Sequence, residues 1–340
     1  MGLGDIAGVF SRFFIVGFFL PAFFALIALS QLATEELLPD GFEHYGDGVQ
    51  VLILGGTALV AGLFLLGLHY NVIRLFEGYP LMRPGLGFLA RPLIWLQTRS
   101  YEKLCRRKAG ATPRAEKETK RRGLEAWRTL DRFFPSEASR LLPTRFGNAM
   151  RAAEDYSYIR WKLDAIPFWA RVEPLLSDQE VQLHESAKSD VAFFLNSALG
   201  AAGVGTVLVA DEIAHGPVGA AYGALYAIPF ALAYVVYRFS INAAWRWGVE
   251  MRASIDLHRL EVYERLGVRR PKSFRDERTL ARRLNRFFLY ATELGDDLWA
   301  EEESDQVSAS TRDSAPQPSF RRVWIFGFGS KSKRREEVNE

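Results

Sequence analysis

Four long stretches without a charged side chain constrain this chain more than any other feature. Residues 13–34, 48–73, 191–210 and 213–237 contain none of its 43 Lys and Arg and none of its 40 Asp and Glu. An α-helix rises about 1.5 Å per residue, so about 20 apolar residues cross the roughly 30 Å hydrocarbon core of a bilayer. Each stretch reaches that length. The sequence therefore predicts an all-α membrane protein with four transmembrane helices.

The charges between these stretches predict how the helices are oriented. Residues 35–47 hold five acidic side chains and no Lys or Arg, and the second connection holds Asp211 and Glu212. Residues 74–128 hold fourteen basic side chains against five acidic ones. Lys and Arg accumulate in cytoplasmic loops. We therefore expect two hairpins with acidic external connections, in the inner (cytoplasmic) membrane, and both termini in the cytoplasm.

The chain is predicted to have five segments. They are a first transmembrane hairpin at 1–74, a cytoplasmic helical domain at 75–190, a second hairpin at 191–237, a cytoplasmic helical extension at 238–300 and a disordered tail at 301–340. The tail is assigned as disordered because its first half is rich in Glu, Ser, Asp and Pro and has little apolar surface to bury.

Helix signals in the polar segments predict several boundaries. Ser177 and Glu180 form a capping-box pattern, which predicts one continuous helix from about 178 to 209. The fourth span is predicted to continue past the membrane as far as Leu266. Further amphipathic helices are expected over 87–108, over 115–134, and from Ser273 through Leu294 to Trp299. No part of these segments alternates with period two, so the cytoplasmic part is predicted to be a helical bundle.

The end of the tail has a composition of its own. Within residues 320–335, aromatic side chains are flanked by basic ones: Arg321, Arg322, Trp324, Phe326, Phe328, Arg334 and Arg335. The apolar run is far too short to span a bilayer. Basic residues are attracted to anionic leaflets. We expect this segment to bind an anionic membrane surface reversibly.

Motifs for catalysis or cofactor binding are missing from the sequence. There is no GxxxxGK[ST], no HExxH and no GxSxG, and the five histidines are scattered. The single cysteine, Cys105, excludes an internal disulfide and a cysteine-based zinc site. We therefore expect no cofactor, no metal and no catalytic residues. Basic residues beside membrane spans need no nucleic-acid partner to explain them.

One polar segment, residues 142–156, stands out as a candidate site. A helix is expected to begin after Pro143, and it would carry Arg145, Asn148, Glu154 and Asp155. These side chains could hold a phosphate or a headgroup, with one carboxylate acting as a base. Alternatively, they could form an internal salt-bridge network that joins this helix to its neighbours.

Two runs of sequence carry a resemblance to known proteins. LLPTRFGNAMRAAEDYSYIRWKLDAIPFWARVEPLL, at 141–176, is similar to a segment of bacterial, particularly actinobacterial, integral membrane proteins, and so is WGVEMRASIDLHRLEVYERLGVRRP, at 247–271. The resemblance implies their plan of two membrane hairpins around a cytoplasmic helical segment. It implies no activity.

Small residues at helical spacing mark the third and fourth spans. They are Ser197, Ala201, Gly205, Gly219 and Gly223. Such rows allow helices to approach closely in lipid. They could pack the four spans within one monomer or join subunits.

The sequence favours a non-enzymatic membrane protein whose cytoplasmic helical bundle acts as an assembly or sensing module. The first alternative is an oligomeric ion channel or pore gated by the cytoplasmic helices, and the second is a membrane-bound enzyme acting on a lipid or a phosphorylated substrate. Ion-coupled transport usually depends on ionisable groups at bilayer depth. The four stretches contain no Asp, Glu, Lys or Arg, and His69 lies near the inner end of the second stretch, so ion-coupled transport is disfavoured. The expected partners are membrane lipids, with a homo-oligomer and a cytoplasmic protein partner left open.

Overall fold

The structure, a computed structural model, describes residues 11–32, 45–215 and 220–299, and its regular elements in those ranges are all helical. The helices are α1 Arg12–Leu32, α2 Asp47–Gly67, α3 His69–Glu77, α4 Gly87–Ala109, α5 Lys117–Phe133, α6 Arg145–Trp161, α7 Ala165–Val172, α8 Asp178–His215, α9 Ala220–Arg265 and α10 Phe274–Tyr290. In the described part of the chain there is no strand, apart from an isolated bridge between Val268 and Trp299. The predicted all-α class is confirmed.

Four of these helices, α1, α2, α8 and α9, are long and apolar enough to cross a membrane. Their surfaces fit a hydrocarbon solvent. On α2, for example, Leu52 is 74% exposed and Phe64 is 68% exposed, and several neighbouring large apolar side chains are exposed too. Apolar patches of this extent mark a membrane or protein contact. The four predicted spanning helices are confirmed by length and composition.

Two predicted boundaries need correction. The helix expected to run on through the end of the second stretch is interrupted after Gly67, because Leu68 departs from helical geometry (φ −91°, ψ 3°) before α3 begins. The last helix ends at Tyr290 and does not reach Trp299. Ala291 turns left-handed there (φ 51°), and the chain folds back to bury Leu294 and Leu298. Burial of these two leucines in the core outweighs the helical spacing that suggested a longer helix.

α8 and α9 form an antiparallel pair. Ser177 and Glu180 make the expected capping box at the start of α8, with the Ser177 N–H donating to Glu180 Oε2 at 2.8 Å. Three polar contacts then join the two helices: Glu180–His258 at 2.9 Å, His184–Ser254 at 2.8 Å and Asp190–Arg246 at 3.1 Å. Residue numbers rise along one helix as they fall along the other, so the helices are in register over several turns.

α1 is fixed to α8 by a backbone contact. Pro21 has no N–H to donate to the carbonyl of Gly17, four residues earlier. Asn196 of α8 supplies the missing donor, with its Nδ2 2.7 Å from Gly17 O. The helices can approach this closely because Gly17 has no side chain: a Cβ there would lie 2.9 Å from Cβ of Ala192. α1 also contains a π-helical turn, Ile15–Phe19, at this point.

Two apolar cores follow one another along α9. We call the first the junction core; its buried members are Val72, Phe146, Ala149, Met150, Val191, Leu195, Ile241, Ala243 and Ala244. We call the second the distal core; it includes Trp161, Leu163, Phe168, Val172, Ile255, Tyr263, Leu280, Leu284, Leu294 and Leu298. The junction core joins α3 and α6 to α8 and α9, whereas the distal core joins α7 and α10 to the far end of α9.

The contact at Gly17 gives a first prediction. Gly17→Leu should lower the free energy of unfolding in detergent by about 1–3 kcal/mol, because overpacking forces α1 away from α8. Gly56→Leu is the matched control, since a Cβ at Gly56 meets nothing within 4 Å. Thermal unfolding of the purified full chain measures both variants. Equal stability of the two would contradict the packing of α1 on α8.

Candidate functional site

The segment 142–156 is held in place by contacts at the N-terminus of α6. Thr144 caps α6, where its Oγ1 accepts from the Gly147 N–H at 3.0 Å and donates to Phe76 O at 2.7 Å. Gly147 lies against α3, and a Cβ at this position would be 2.5 Å from Glu77 O. Glycine is therefore required at this position. The start of α6 is locked to the end of α3.

The side-chain contacts of Asn148 are structural. Its side chain is fully buried, and its amide makes two hydrogen bonds to one residue: Nδ2 donates to Leu142 O at 3.0 Å and Oδ1 accepts from the Leu142 N–H at 2.7 Å. Loss of this side chain would leave two buried backbone groups unpaired, at about 1–3 kcal/mol each. The contacts of Asn148 hold the loop that precedes α6.

Asp155 lies two turns further along the same face of α6 and is 2% exposed. Its Oδ2 accepts from the Ser136 N–H at 3.0 Å and from Ser136 Oγ at 3.1 Å. Its Oδ1 lies 2.6 Å from Nη1 of Arg140. These contacts fix the connection between α5 and α6, so the carboxylate is already engaged on both oxygens.

Glu154 belongs to a group of charged residues near the end of α3. We call it the acid–arginine cluster, and its members are Arg74, Glu77, Tyr79, Arg151 and Glu154. Arg151 donates from Nη2 to Tyr79 OH at 2.7 Å and from Nη1 to Arg140 O at 3.1 Å. The guanidinium of Arg74 lies 3.7 Å from the centre of the Tyr79 ring. Both arginines thus contact the tyrosine, and the two acids interact electrostatically with Arg151 and with each other.

The two acids of this cluster are difficult to ionise. Burial, and then the negative charge of Glu154, raise the pKa of Glu77 to about 7, although Arg74 and Arg151 oppose the shift. Burial also raises the pKa of Glu154, against the effect of Arg151 and Arg140. Groups whose pKa is shifted in this way cluster at functional sites, and they also occur in structural networks. Sequence reasoning missed Glu77, whose position just before Gly78 and Pro80 suggested only the end of a helix.

Arg145 lies elsewhere, on the rim of a cavity of about 410 Å³. We call this the basic cavity, because four cations line it: Lys103, Arg107, Arg145 and Arg238. Among the described residues that line it, none is acidic. The four predicted site residues therefore do not form one site: Asn148 and Asp155 make structural contacts, Glu154 joins the acid–arginine cluster, and Arg145 faces the basic cavity.

The small residues of the spans also have different surroundings. Ser197 and Ala201 line an apolar cavity of about 370 Å³ together with Pro21 and Pro229. Gly205 allows the ring of Phe230 to approach, since a Cβ on it would lie 2.8 Å from that ring. Gly219 lies outside the described residues, as does the whole tail with its basic-aromatic segment 320–335. Gly223 lies within α9, and its surroundings are not described.

No group of three or more His, Cys, Asp or Glu in the described ranges could hold a metal ion. Comparison with known proteins gives no matching family model, no similar curated protein and no similar solved structure.

The raised pKa of Glu77 gives a second prediction. Unfolding returns this carboxyl from a pKa of about 7 to its ordinary value of 4.5. The folded state holds the proton more tightly, so stability should fall as the pH rises from about 4.5 to about 7. Glu77→Gln, which stays neutral, should remove this fall and be more stable than the wild type at pH 8 by roughly 1–3 kcal/mol.

Thermal unfolding of the full chain in detergent between pH 5 and pH 8 measures this difference. Glu125→Gln is the control, because it removes the same kind of side chain from an exposed position. If the wild type and Glu77→Gln had parallel pH profiles, the buried neutral carboxyl would be excluded.

Proposed function

We propose that this chain is a non-enzymatic inner-membrane protein whose cytoplasmic helical bundle acts as an assembly or sensing module coupled to the spans. In this arrangement α1–α2 and α8–α9 are the two hairpins, and both termini are cytoplasmic. The observation that carries the proposal is the continuity of α8 and α9. A module that senses or assembles at a membrane needs such a mechanical connection between its spans and its soluble part.

The lengths of α8 and α9 support this coupling. α9 has 46 residues, which corresponds to about 69 Å of helix. The hydrocarbon core takes about 30 Å of that length. The remainder of α9 extends into the junction and distal cores, and α8 accompanies it through the contacts of Glu180, His184 and Asp190.

The first hairpin is coupled to the same domain. α3 follows α2 after a single non-helical residue, Leu68, and its end is locked to α6 at Thr144 and Gly147. Each hairpin is therefore directly connected to a helix that contributes side chains to the junction core. A displacement of the spans relative to one another would have to deform this core, because close-packed interiors transmit strain.

The two alternative functions have less support from the contacts. A channel needs a polar path, whereas the cavity between α1, α8 and α9 is lined by apolar side chains with Ser197 as its polar member. An enzyme using the segment 142–156 needs free polar groups, whereas Asn148 and Asp155 are engaged in structural hydrogen bonds. The partners we propose are membrane lipids, with a homo-oligomer or a cytoplasmic protein as the assembly partner.

The orientation can be tested by cysteine labelling. In a Cys105→Ala background, Gly46→Cys should react with a membrane-impermeant thiol reagent added to intact cells, and Thr112→Cys should react only after lysis. A Cβ at Gly46 meets nothing within 4 Å, and Thr112 is exposed. Ala111 is avoided because it packs on Gly123. The reverse labelling pattern would invert the proposed topology.

The coupling can be tested by hydrogen exchange. If the spans and the bundle unfold as one unit, Gly17→Leu in the membrane part should raise exchange of the slowest amides of the distal core. We expect a rise of about fivefold to a hundredfold, matching its loss of stability. Gly56→Leu should leave these amides unchanged. Faster exchange limited to residues 12–32, 47–67 and 190–215 would show that the bundle is independent of the spans.

A further inference from the structure

We propose that the basic cavity binds a phosphate-bearing anion at the inner face of the membrane. The inference rests on the proposed orientation for its membrane depth, and on the contacts of the cavity itself for its ligand chemistry. The ligand class is a phosphate group with net negative charge, supplied either by an anionic lipid headgroup or by a small soluble phosphate.

The four cations of the cavity come from three parts of the chain. Lys103 and Arg107 lie one turn apart on α4, Arg145 is the first residue of α6, and Arg238 lies on α9. No ion pair involves any of these four within the described ranges, although thirteen other ion pairs are present there. Like charges gathered without a counter-charge repel each other. A bound anion would remove that repulsion.

The side chains around the cations suit a phosphate more than a simple halide. Arginine forks make paired hydrogen bonds to phosphate oxygens. The exposed amide of Asn242 adds a neutral donor at the same rim. The first amides of α6 are already taken, by Thr144 Oγ1 and by Tyr237 OH, which accepts from the Phe146 N–H at 3.3 Å. The side-chain cations, and not the helix N-terminus, are therefore the ligands.

The depth of the cavity matches the headgroup region. Tyr237 is the last residue of the charge-free stretch 213–237, and Arg238, Ile241 and Asn242 of the cavity follow it within about 8 Å of helix. The apolar wall of the cavity includes Ile241, so an acyl chain leaving the headgroup would meet apolar surface.

α4 supports the same depth. Its first turns expose Phe88 (66%) and Trp95 (57%), while its later turns contribute Ser100, Lys103 and Arg107 to the cavity. Exposed aromatic residues followed by basic ones are typical of helices that lie at a membrane interface. The open side of the cavity would then be continuous with the lipid headgroups.

The test uses the purified full chain in a neutral detergent, titrated with phosphatidylglycerol, phosphatidylcholine or inorganic phosphate and followed by native mass spectrometry. Arg145→Gln/Arg238→Gln is the cavity variant. Arg114→Gln/Lys117→Gln removes the same charge from exposed positions that lie outside the cavity. We expect the cavity variant to weaken phosphatidylglycerol binding roughly tenfold to thirtyfold, and the control less than about twofold.

The arms of the experiment separate the sources of phosphate. Cavity-dependent binding of phosphatidylglycerol with none of inorganic phosphate assigns a lipid headgroup, and cavity-dependent binding of inorganic phosphate assigns a soluble phosphate. The proposal is overturned if the cavity and control variants weaken binding equally, or if neither phosphatidylglycerol nor inorganic phosphate binds. Lys103→Gln/Arg107→Gln gives an independent variant if the first does not fold. Cavity-dependent binding together with inverted cysteine labelling would refute the proposed topology and leave the phosphate site intact.

Discussion

The antiparallel pairing of α8 and α9 is the contact against which α1, α6, α7 and α10 are assembled. α1 packs on α8 through Gly17 and Asn196, α6 crosses α9 where Gly248 would bring a Cβ within 2.6 Å of Ala153, and α7 and α10 complete the distal core against α9. Since helices need no external hydrogen-bond partners along their length, one pair can serve as support both in lipid and in water. α1, α6 and α7 each bury one face against it, whereas α2 packs on α1 and α4 packs on α5.

The polar residues beside this pair divide into two kinds. Asn148 and Asp155 use their hydrogen-bonding capacity within the fold, and their removal would leave buried groups unpaired. Arg145 and Arg238 have no such partner in the described part of the chain and line an open cavity. Hydrogen-bonding capacity that the fold leaves unused is available to a ligand, and here it belongs to the cations of the basic cavity.

Close backbone approaches join the apolar spanning helices to the polar part of the structure. Gly17 lets α1 reach α8, and Gly147 lets α6 reach the end of α3, which is the continuation of α2. Gly78 ends α3 in the left-handed conformation, with φ 89°. A Cβ built on Gly78 would lie 3.1 Å from Cγ2 of Thr144. Each contact removes freedom at a point where a span meets the rest of the chain. A rigid junction of this kind suits a protein that senses or assembles at a membrane.

The sequence by itself determined the helical class, the four spanning helices, the capping box at Ser177 and the long runs of α8 and α9, because these depend on local hydrophobicity and on hydrogen bonds between near neighbours. It did not determine that α10 stops at Tyr290, because burial of Leu294 and Leu298 is a long-range contact. It placed Arg145, Asn148, Glu154 and Asp155 on one helix, but it did not give the different neighbours that each of them contacts. Only the tertiary structure brought Glu77 to Glu154 and Arg238 to Lys103, since charges that lie far apart in sequence meet only where helices pack.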